Sequence, residues 1–320
     1  MINGIQDLEL RSASNGTVFV HLTTFNGEKW IDQSVQSVLN QTYSDLILNI
    51  SDNGSEDGTR SRIEEWAKKD PRIRYTFHKT NRGAYFNWML GLEQSHFCPF
   101  FTWACQDDFW ALDWLEQCVC EIKNHGSMAA CGKIVVVDLS GNPVNAYARQ
   151  LRSHCYMGSP RKLIRLARYA LEPEEFGKSG KIFAVFRTSE LLKVDLWAKE
   201  SQDVPIKEAD YLIVRRILAV GPIRTFSSSA LFKRLGSTTL NFEPVADLAT
   251  SRKLTLWGRT VGFITHIFED QKSWYRLYAS DSLPLQNYER GLLFLKSLRT
   301  IARRLSGAIQ TTLRHRQDTT

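Results

Sequence analysis

From residue 17 onward, short β-rich runs alternate with segments whose apolar residues recur at helical spacing. Strands separated by helix-length segments cannot pair as tight hairpins. They are joined by crossovers and lie mostly parallel, in a layered α/β fold. TVFVHLTTF (17–25) reads as the first strand, and the segment 27–40 sets Trp30, Ile31, Ser34, Val35, Val38 and Leu39 on one helical face. LILNIS (46–51) is the second strand and a helix follows at about 56–69. Asp70-Pro71 ends that helix, because proline disfavours helical backbone in the residue before it. IRYTFH (73–78), a helix over 84–95 carrying Tyr85, Trp88, Met89 and Leu92, and FCPFFTWAC (97–105) continue the alternation. Trp114, Leu115, Cys118 and Ile122 mark the next helix, and MAACGKIVVVD (128–138) the next strand.

The pattern then loosens. Residues 140–180 read as loop-rich with a basic helix near 160–171, KIFAVFRT (181–188) as a strand, 189–199 and 208–219 as helices, and PIRTFS (222–227) as the last strand. Residues 235–252 read as a linker before a helical remainder, and 1–16 as an N-terminal extension.

Composition narrows the class. With 43% hydrophobic and 23% charged residues the chain can bury a core, which excludes disorder for its bulk. There is no apolar run of bilayer length and no basic-then-apolar leader at the start, so the chain is expected neither to span a membrane nor to be secreted. Six sparse cysteines without a C-x-x-C pair fit a reducing cytosol, and the expected location is cytoplasmic. Cys118 and Cys120 are expected on opposite sides of their helix, without a chemical role.

The net charge of +7 is concentrated at one end: residues 286–320 carry seven basic side chains and two acids, which leaves the body nearly neutral and argues against nucleic acid as a partner. Within that end, residues 290–309 set Phe294, Leu295, Leu298, Ile301, Ala302 and Leu305 against Lys296, Arg299, Arg303 and Arg304. Such a helix either packs on the protein or lies on the inner face of an anionic membrane as a peripheral contact.

Ligands of open α/β sheets bind beyond the carboxyl ends of the strands, and those ends are polar here. They read Thr23-Thr24-Phe25-Asn26-Gly27, then Ser51-Asp52-Asn53-Gly54-Ser55-Glu56-Asp57-Gly58-Thr59, then Asn81-Arg82-Gly83, then Gln106-Asp107-Asp108. Asp52 can accept from a hydroxyl or a ring N–H, or it can cap the next helix, for which Ser55 and Asp57 are better placed. Asp107 and Asp108 repel unless a cation joins them.

In order and spacing over roughly 17–230, these stretches resemble the family-two glycosyltransferases of the GT-A fold, whose pattern runs T-[YF]-N-G, S-D-[ND]-x-S-x-D-G-T, N-x-G and an acidic cluster. The resemblance implies an α/β nucleotide-binding fold with a mostly parallel sheet over 17–234, divided into a nucleotide-binding half (17–138) and an acceptor half (139–234). It implies an inverting enzyme that moves a sugar from a nucleotide donor, expected to be UDP-linked, to a glycan or lipid-linked acceptor. By the same resemblance Thr23, Phe25, Asn26, Asp52, Asn53, Ser55, Asn81, Gly83 and Asp108 contact the donor, and Asp107 holds Mn²⁺ or Mg²⁺. Asp210, in Lys207-Glu208-Ala209-Asp210-Tyr211-Leu212, corresponds to the base that deprotonates the acceptor, with Glu208 as the alternative.

One departure stands out. Relatives often read D-x-D-D where this chain has Cys105-Gln106-Asp107-Asp108, so a thiol replaces the first carboxylate and metal binding is expected to be weaker. Cys105 is expected to be a small buried residue. Lys233 and Arg234, placed after the last strand, either approach a diphosphate or are solvated surface. His78 and Lys79 take no role.

Overall fold

The structure is a computed structural model, and it describes residues 14–144, 154–172, 177–196 and 206–235. The N-terminal extension up to residue 13, the 235–252 linker beyond its first residue and the helical remainder with its basic segment 290–309 lie outside the described residues. Two compact units are distinguished. The first takes in the described residues up to Arg165 and those from 177 to 235, and the second, among the described residues, holds only Leu166–Glu172.

The alternation read from the sequence is the observed element order. Strand β1 (Val18–Thr24) is followed by α1 (Ile31–Leu39), β2 (Leu46–Asp52), α2 (Thr59–Lys69), β3 (Ile73–Phe77), α3 (Ala84–Gln94) and β4 (Phe100–Cys105). All four strands pair in parallel, β2 with β3, β1 with β2, and β1 with β4. Register brings their carboxyl ends level: Thr24 lies opposite Asp52, Asp52 opposite Phe77 and Thr23 opposite Cys105. Helix α1 buries Ile31, Ser34, Val35, Val38 and Leu39, the face expected from spacing. Each fully buried aliphatic side chain there contributes roughly 1.5–3 kcal/mol relative to exposure.

A short β5 (Phe109–Trp110), α4 (Trp114–His125) and β6 (Ala129–Val137) follow. Helix α4 buries Trp114, Leu115, Cys118, Val119 and Ile122 and leaves Cys120 exposed, so the two cysteines do face opposite ways. Next come α5 (Lys162–Leu171), a 3-10 turn at Lys178–Phe183, β7 (Val185–Arg187), α6 (Thr188–Leu191), α7 (Ile206–Val220) and β8 (Ile223–Arg234). The full sheet has eight strands in the order β3-β2-β1-β4-β7-β6-β8-β5. β6 and β8 are parallel, whereas β7 runs antiparallel to β4 and β6, and β5 antiparallel to β8. Four of the seven described pairings are therefore parallel.

Three expectations need correction. The strand expected over 181–188 is mostly 3-10 turn and extends only over Val185–Arg187, because the chain must turn to enter the sheet between β4 and β6. The helix expected over 189–199 is a single turn, Thr188–Leu191, and residues 192–196 are not helical. The last strand does not stop at 227. It continues to Arg234 through a register shift opposite Cys131/Lys133, which makes Lys233 and Arg234 its final residues rather than loop residues beyond it.

Candidate active site

The residues at the parallel strand ends are stitched to one another. Gln106, buried after β4, accepts hydrogen bonds through Oε1 from Phe25 N–H at 2.8 Å and Thr24 Oγ1 at 2.5 Å, and donates through Nε2 to Phe25 O at 3.1 Å. A Cβ added to Gly27 would meet the same Oε1 at 2.3 Å, so a side chain there would have to push the Gln106 amide away from these partners. Between the β1 and β2 loops, Asn26 N–H donates to Ser55 Oγ at 2.8 Å, Glu56 N–H to Asn26 Oδ1 at 3.0 Å, and Gly27 N–H to Thr59 Oγ1 at 2.8 Å. Asn26 holds φ at 48°, a left-handed conformation that asparagine tolerates better than most residues.

The β2 and β3 loops are joined in the same way. Asn53 Nδ2 donates to Asn81 Oδ1 at 2.8 Å and Gly83 O at 3.1 Å, while Asn53 Oδ1 accepts from Arg82 N–H at 3.0 Å. Gly54 has φ of +86°, and a Cβ there would press on the Thr80 backbone at 2.8 Å. Asp52 is fully buried. It accepts from Ser55 N–H at 3.2 Å, from the Ser55 hydroxyl, and from Arg60 Nε at 3.0 Å. Thr23 accepts from Trp88 Nε1 at 3.2 Å, and Phe25, two residues on, is 39% exposed.

All the residues named for the donor crevice therefore stand at one edge of the sheet. Many of their polar atoms, however, tie neighbouring loops together: Asn26, Asn53, Ser55 and Asn81 join the loops through bonds that spacing alone does not reveal. Asp57 takes the helix-start role, accepting from Thr59 N–H at 3.1 Å.

The acidic turn after β4 is the chemically distinctive part. A ligand atom from each of Cys105, Asp107 and Asp108 lies within 4.8 Å of the others. The turn is fixed from below by Ser34 Oγ, which donates to Cys105 O at 2.8 Å, and by Asp108 N–H, which donates to the same oxygen at 3.3 Å. From the other side, β8 supplies two bases. Arg234 N–H donates to Asp108 Oδ1 at 3.1 Å, Arg234 Nη1 to Asp107 O at 2.7 Å, and Arg234 Nη2 to Gln33 Oε1 at 2.7 Å. Its guanidinium lies 4.2 Å from the Trp30 ring centroid and 5.4 Å from that of Phe109. Lys233 Nζ stands 3.5 Å from Asp108 Oδ2.

Burial pushes the Asp108 carboxyl up to about 7, opposed by the Lys233 ammonium and aided by Asp107. Burial also raises the partly buried Cys105 thiol well above its usual range, with the neighbouring carboxylates adding to the effect. Lys233 is raised despite the cost of burial, because Asp108, Cys105, Asp107 and Asp210 all favour its charge. The charge of Asp210, on α7, is thus felt at both Cys105 and Lys233, so the candidate base belongs to the same electrostatic cluster.

The donor set can be weighed against a divalent ion. Asp107 and Asp108 offer hard oxygen atoms suited to Mg²⁺ or Mn²⁺, whereas a protonated thiol at Cys105 does not. The site fits such an ion through its two carboxylates, with Asp108 already turned towards Lys233 and the Arg234 backbone.

Sequence reasoning named Lys233 and Arg234 but put them in a loop, and it missed Gln106 and Arg60 as organisers. A strand-end glutamine and a first-turn arginine carry no signal until the pairing partner is known.

Comparison with known proteins agrees with this geometry. The family model for glycosyl transferase family 2 matches residues 19–189, more than half of the chain. An uncharacterized glycosyltransferase of Haemophilus influenzae is 31% identical over 123 residues, covering 38% of this chain and 37% of the relative. The GalNAc(5)-diNAcBac-PP-undecaprenol β-1,3-glucosyltransferase of Campylobacter jejuni is 32% identical over 90 residues, covering 28% of this chain and 29% of its own. The chain therefore spans well under half the length of either relative. Among solved structures, Staphylococcus aureus TarS 1–349 in complex with UDP superposes with a TM-score of 0.53 at 19% identity, covering 68% of this chain and 60% of that one. With its parallel strand ends joined loop to loop and an acidic turn after β4, the chain belongs to glycosyltransferase family 2.

Proposed function

We propose that the chain transfers a sugar from a uridine-diphosphate donor to a hydroxyl of a glycan or lipid-linked glycan, with inversion at the anomeric carbon. The observation that carries this reading is the convergence of Asp107, Asp108 and the field of Asp210 at the end of β4, where the β1, β2 and β3 loops are hydrogen-bonded to one another. The UDP bound by TarS supports the nucleotide, and the undecaprenol-linked substrate in the Campylobacter relative's name supports the acceptor class.

In this reading the loops carrying Thr23, Phe25, Asn53, Asn81 and Gly83 hold the nucleoside, with Asp52, Ser55 and Asn26 bracing them. Asp210 takes the proton of the acceptor hydroxyl as the oxygen bonds to the anomeric carbon. The bond from that carbon to the β-phosphate oxygen breaks in the same displacement, and the electron pair leaves with the nucleoside diphosphate. One base and a single displacement give inversion. Asp107 and Asp108 would hold a divalent ion, which would supply positive charge to the departing diphosphate.

The test is thermal stabilisation of the full chain by UDP, GDP, dTDP and CDP, each with Mn²⁺ or EDTA, because a ligand that binds the native state raises the melting temperature. Stabilisation by UDP above the others, larger with Mn²⁺, is the expected result. Preference for another diphosphate would replace the donor, and no shift with any would overturn the nucleotide-sugar reading.

A further inference from the structure

Lys233 has no part in the mechanism above, yet it stands among the acids of the site. Its ammonium is 3.5 Å from Asp108 Oδ2 and 4.5 Å from the ring centroid of Phe183, and it feels the charges of Asp107 and Asp210. It is held rather than free to wander: Lys233 pairs in register with Val136 of β6, and the next residue, Arg234, is tied to Asp107 O, Asp108 Oδ1 and Gln33. Its side chain keeps 26% of its surface open to solvent, so it can meet a ligand.

A second, independent feature concerns the turn it faces. With Cys105 in place of an acid, the turn carries two carboxylates and a soft sulfur atom that suits a hard divalent ion poorly. One of those carboxylates already faces an ammonium. Such a turn attracts a divalent cation less and repels a diphosphate less than a three-carboxylate turn does. The diphosphate of the donor still needs compensating positive charge, and a fixed ammonium in a partly buried site provides it without recruiting an ion.

We propose that Lys233 binds the diphosphate of the donor directly, replacing part of the charge that a carboxylate-held ion supplies, so that diphosphate binding persists without added metal. This rests on the nucleotide-sugar reading. Lys233 and the lost first carboxylate compensate one another: the thiol lowers the demand for an ion, and the ammonium meets the demand of the phosphates.

Calorimetric titration of the full chain with UDP and with uridine, in EDTA and in Mn²⁺, tests it on wild type, Lys233→Met and Lys233→Arg. In EDTA, wild type is expected to bind UDP about tenfold or more tightly than uridine, the value of one charge-assisted contact. Lys233→Met should lose most of that margin while binding uridine as before, and Lys233→Arg should retain it. Equal affinity of wild type for UDP and uridine in EDTA would overturn the proposal, as would an unaltered UDP affinity in Lys233→Met. Equal losses for UDP and uridine would assign Lys233 to holding Asp108 in place, again overturning it. If Lys233→Met does not fold, Lys233→Gln carries the same comparison. Failure of wild type to bind either ligand would strike the nucleotide-sugar reading first, an outcome distinct from a metal-only diphosphate site.

Discussion

The sheet is built from two unlike regions. From Val18 to Cys105 the strands are parallel to one another, and the polar residues at the strand ends mostly bond to each other. From Phe109 to Arg234 strands run both ways, a short antiparallel β7 is wedged between β4 and β6, and the strand ends bring charge to the site. The first region makes a shaped, internally satisfied cradle. The second delivers Asp210, Lys233 and Arg234 to the one acidic turn where the regions meet. Shape and reactivity are thus separable, and variants in each region should fail in different ways.

The largest effect should come from the acidic turn and α7. Asp107→Asn and Asp210→Asn should each lower turnover by roughly 10²–10⁴-fold, the scale of losing one electrostatic or general-base contribution. They should part on binding: Asp107→Asn weakens UDP binding in Mn²⁺, whereas Asp210→Asn leaves it unchanged. Single-turnover kinetics with UDP-sugar, alongside titration of UDP, reads both. If Asp210→Asn kept its rate, the base would have to be sought elsewhere on α7, with Glu208 the first candidate.

The contrast between the regions also marks what could be read from the chain alone. In the parallel region each strand is bounded by its own crossover, so local periodicity sufficed, and β1, β2, β3 and β4 appear within a few residues of expectation. In the second region membership of the sheet depends on distant partners. Val185–Arg187 is a strand because Phe186 pairs with both Phe101 and Ala129, and β8 runs past Ser227 because Ala230 to Arg234 find Lys133 to Val137. Nothing local in KIFAVFRT or SSSALFKR announces those pairings. The site divides likewise: Asp107 and Asp108 are legible as acids after a strand end and Asp210 as an acid near a helix start, whereas Gln106 becomes an organiser only when β1 and β4 are laid side by side.

A medium effect should belong to the cradle region alone and concern stability. His21 is buried between β1, β2 and α3, where Nδ1 accepts from Asn49 Nδ2 at 2.9 Å, which leaves Nε2–H to donate to Asn87 O at 2.8 Å. Burial lowers its pKa from 6.5 to about 4, against the pull of the Asn87 carbonyl. The folded state therefore binds fewer protons than the unfolded one between these values. The stabilisation is complete above about pH 6.5 and is lost as pH falls towards 4, in all about 3 kcal/mol at ~1.4 kcal/mol per pH unit. Urea melts at a series of pH values, with the His21 imidazole followed by NMR, should show that slope while the ring stays neutral. An imidazole that titrates near 6.5 in the folded protein would refute the buried network.

The smallest effect sharpens the comparison most, because it probes the seam between cradle and acidic turn. Gln106→Ala removes the acceptor of Phe25 N–H and Thr24 Oγ1 and the donor to Phe25 O. Leaving such groups without partners costs about 1–3 kcal/mol, to be read as a lower urea midpoint with an unchanged m-value. Because Gln106, the residue preceding Asp107, ties the β1 loop to the start of the acidic turn, the same variant should loosen UDP binding by severalfold in both EDTA and Mn²⁺. Asp107→Asn, by contrast, should act only where metal is present. If Gln106→Ala instead behaved like Asp107→Asn, the two regions would not be separable at this point, and the cradle would be part of the charge machinery rather than its support.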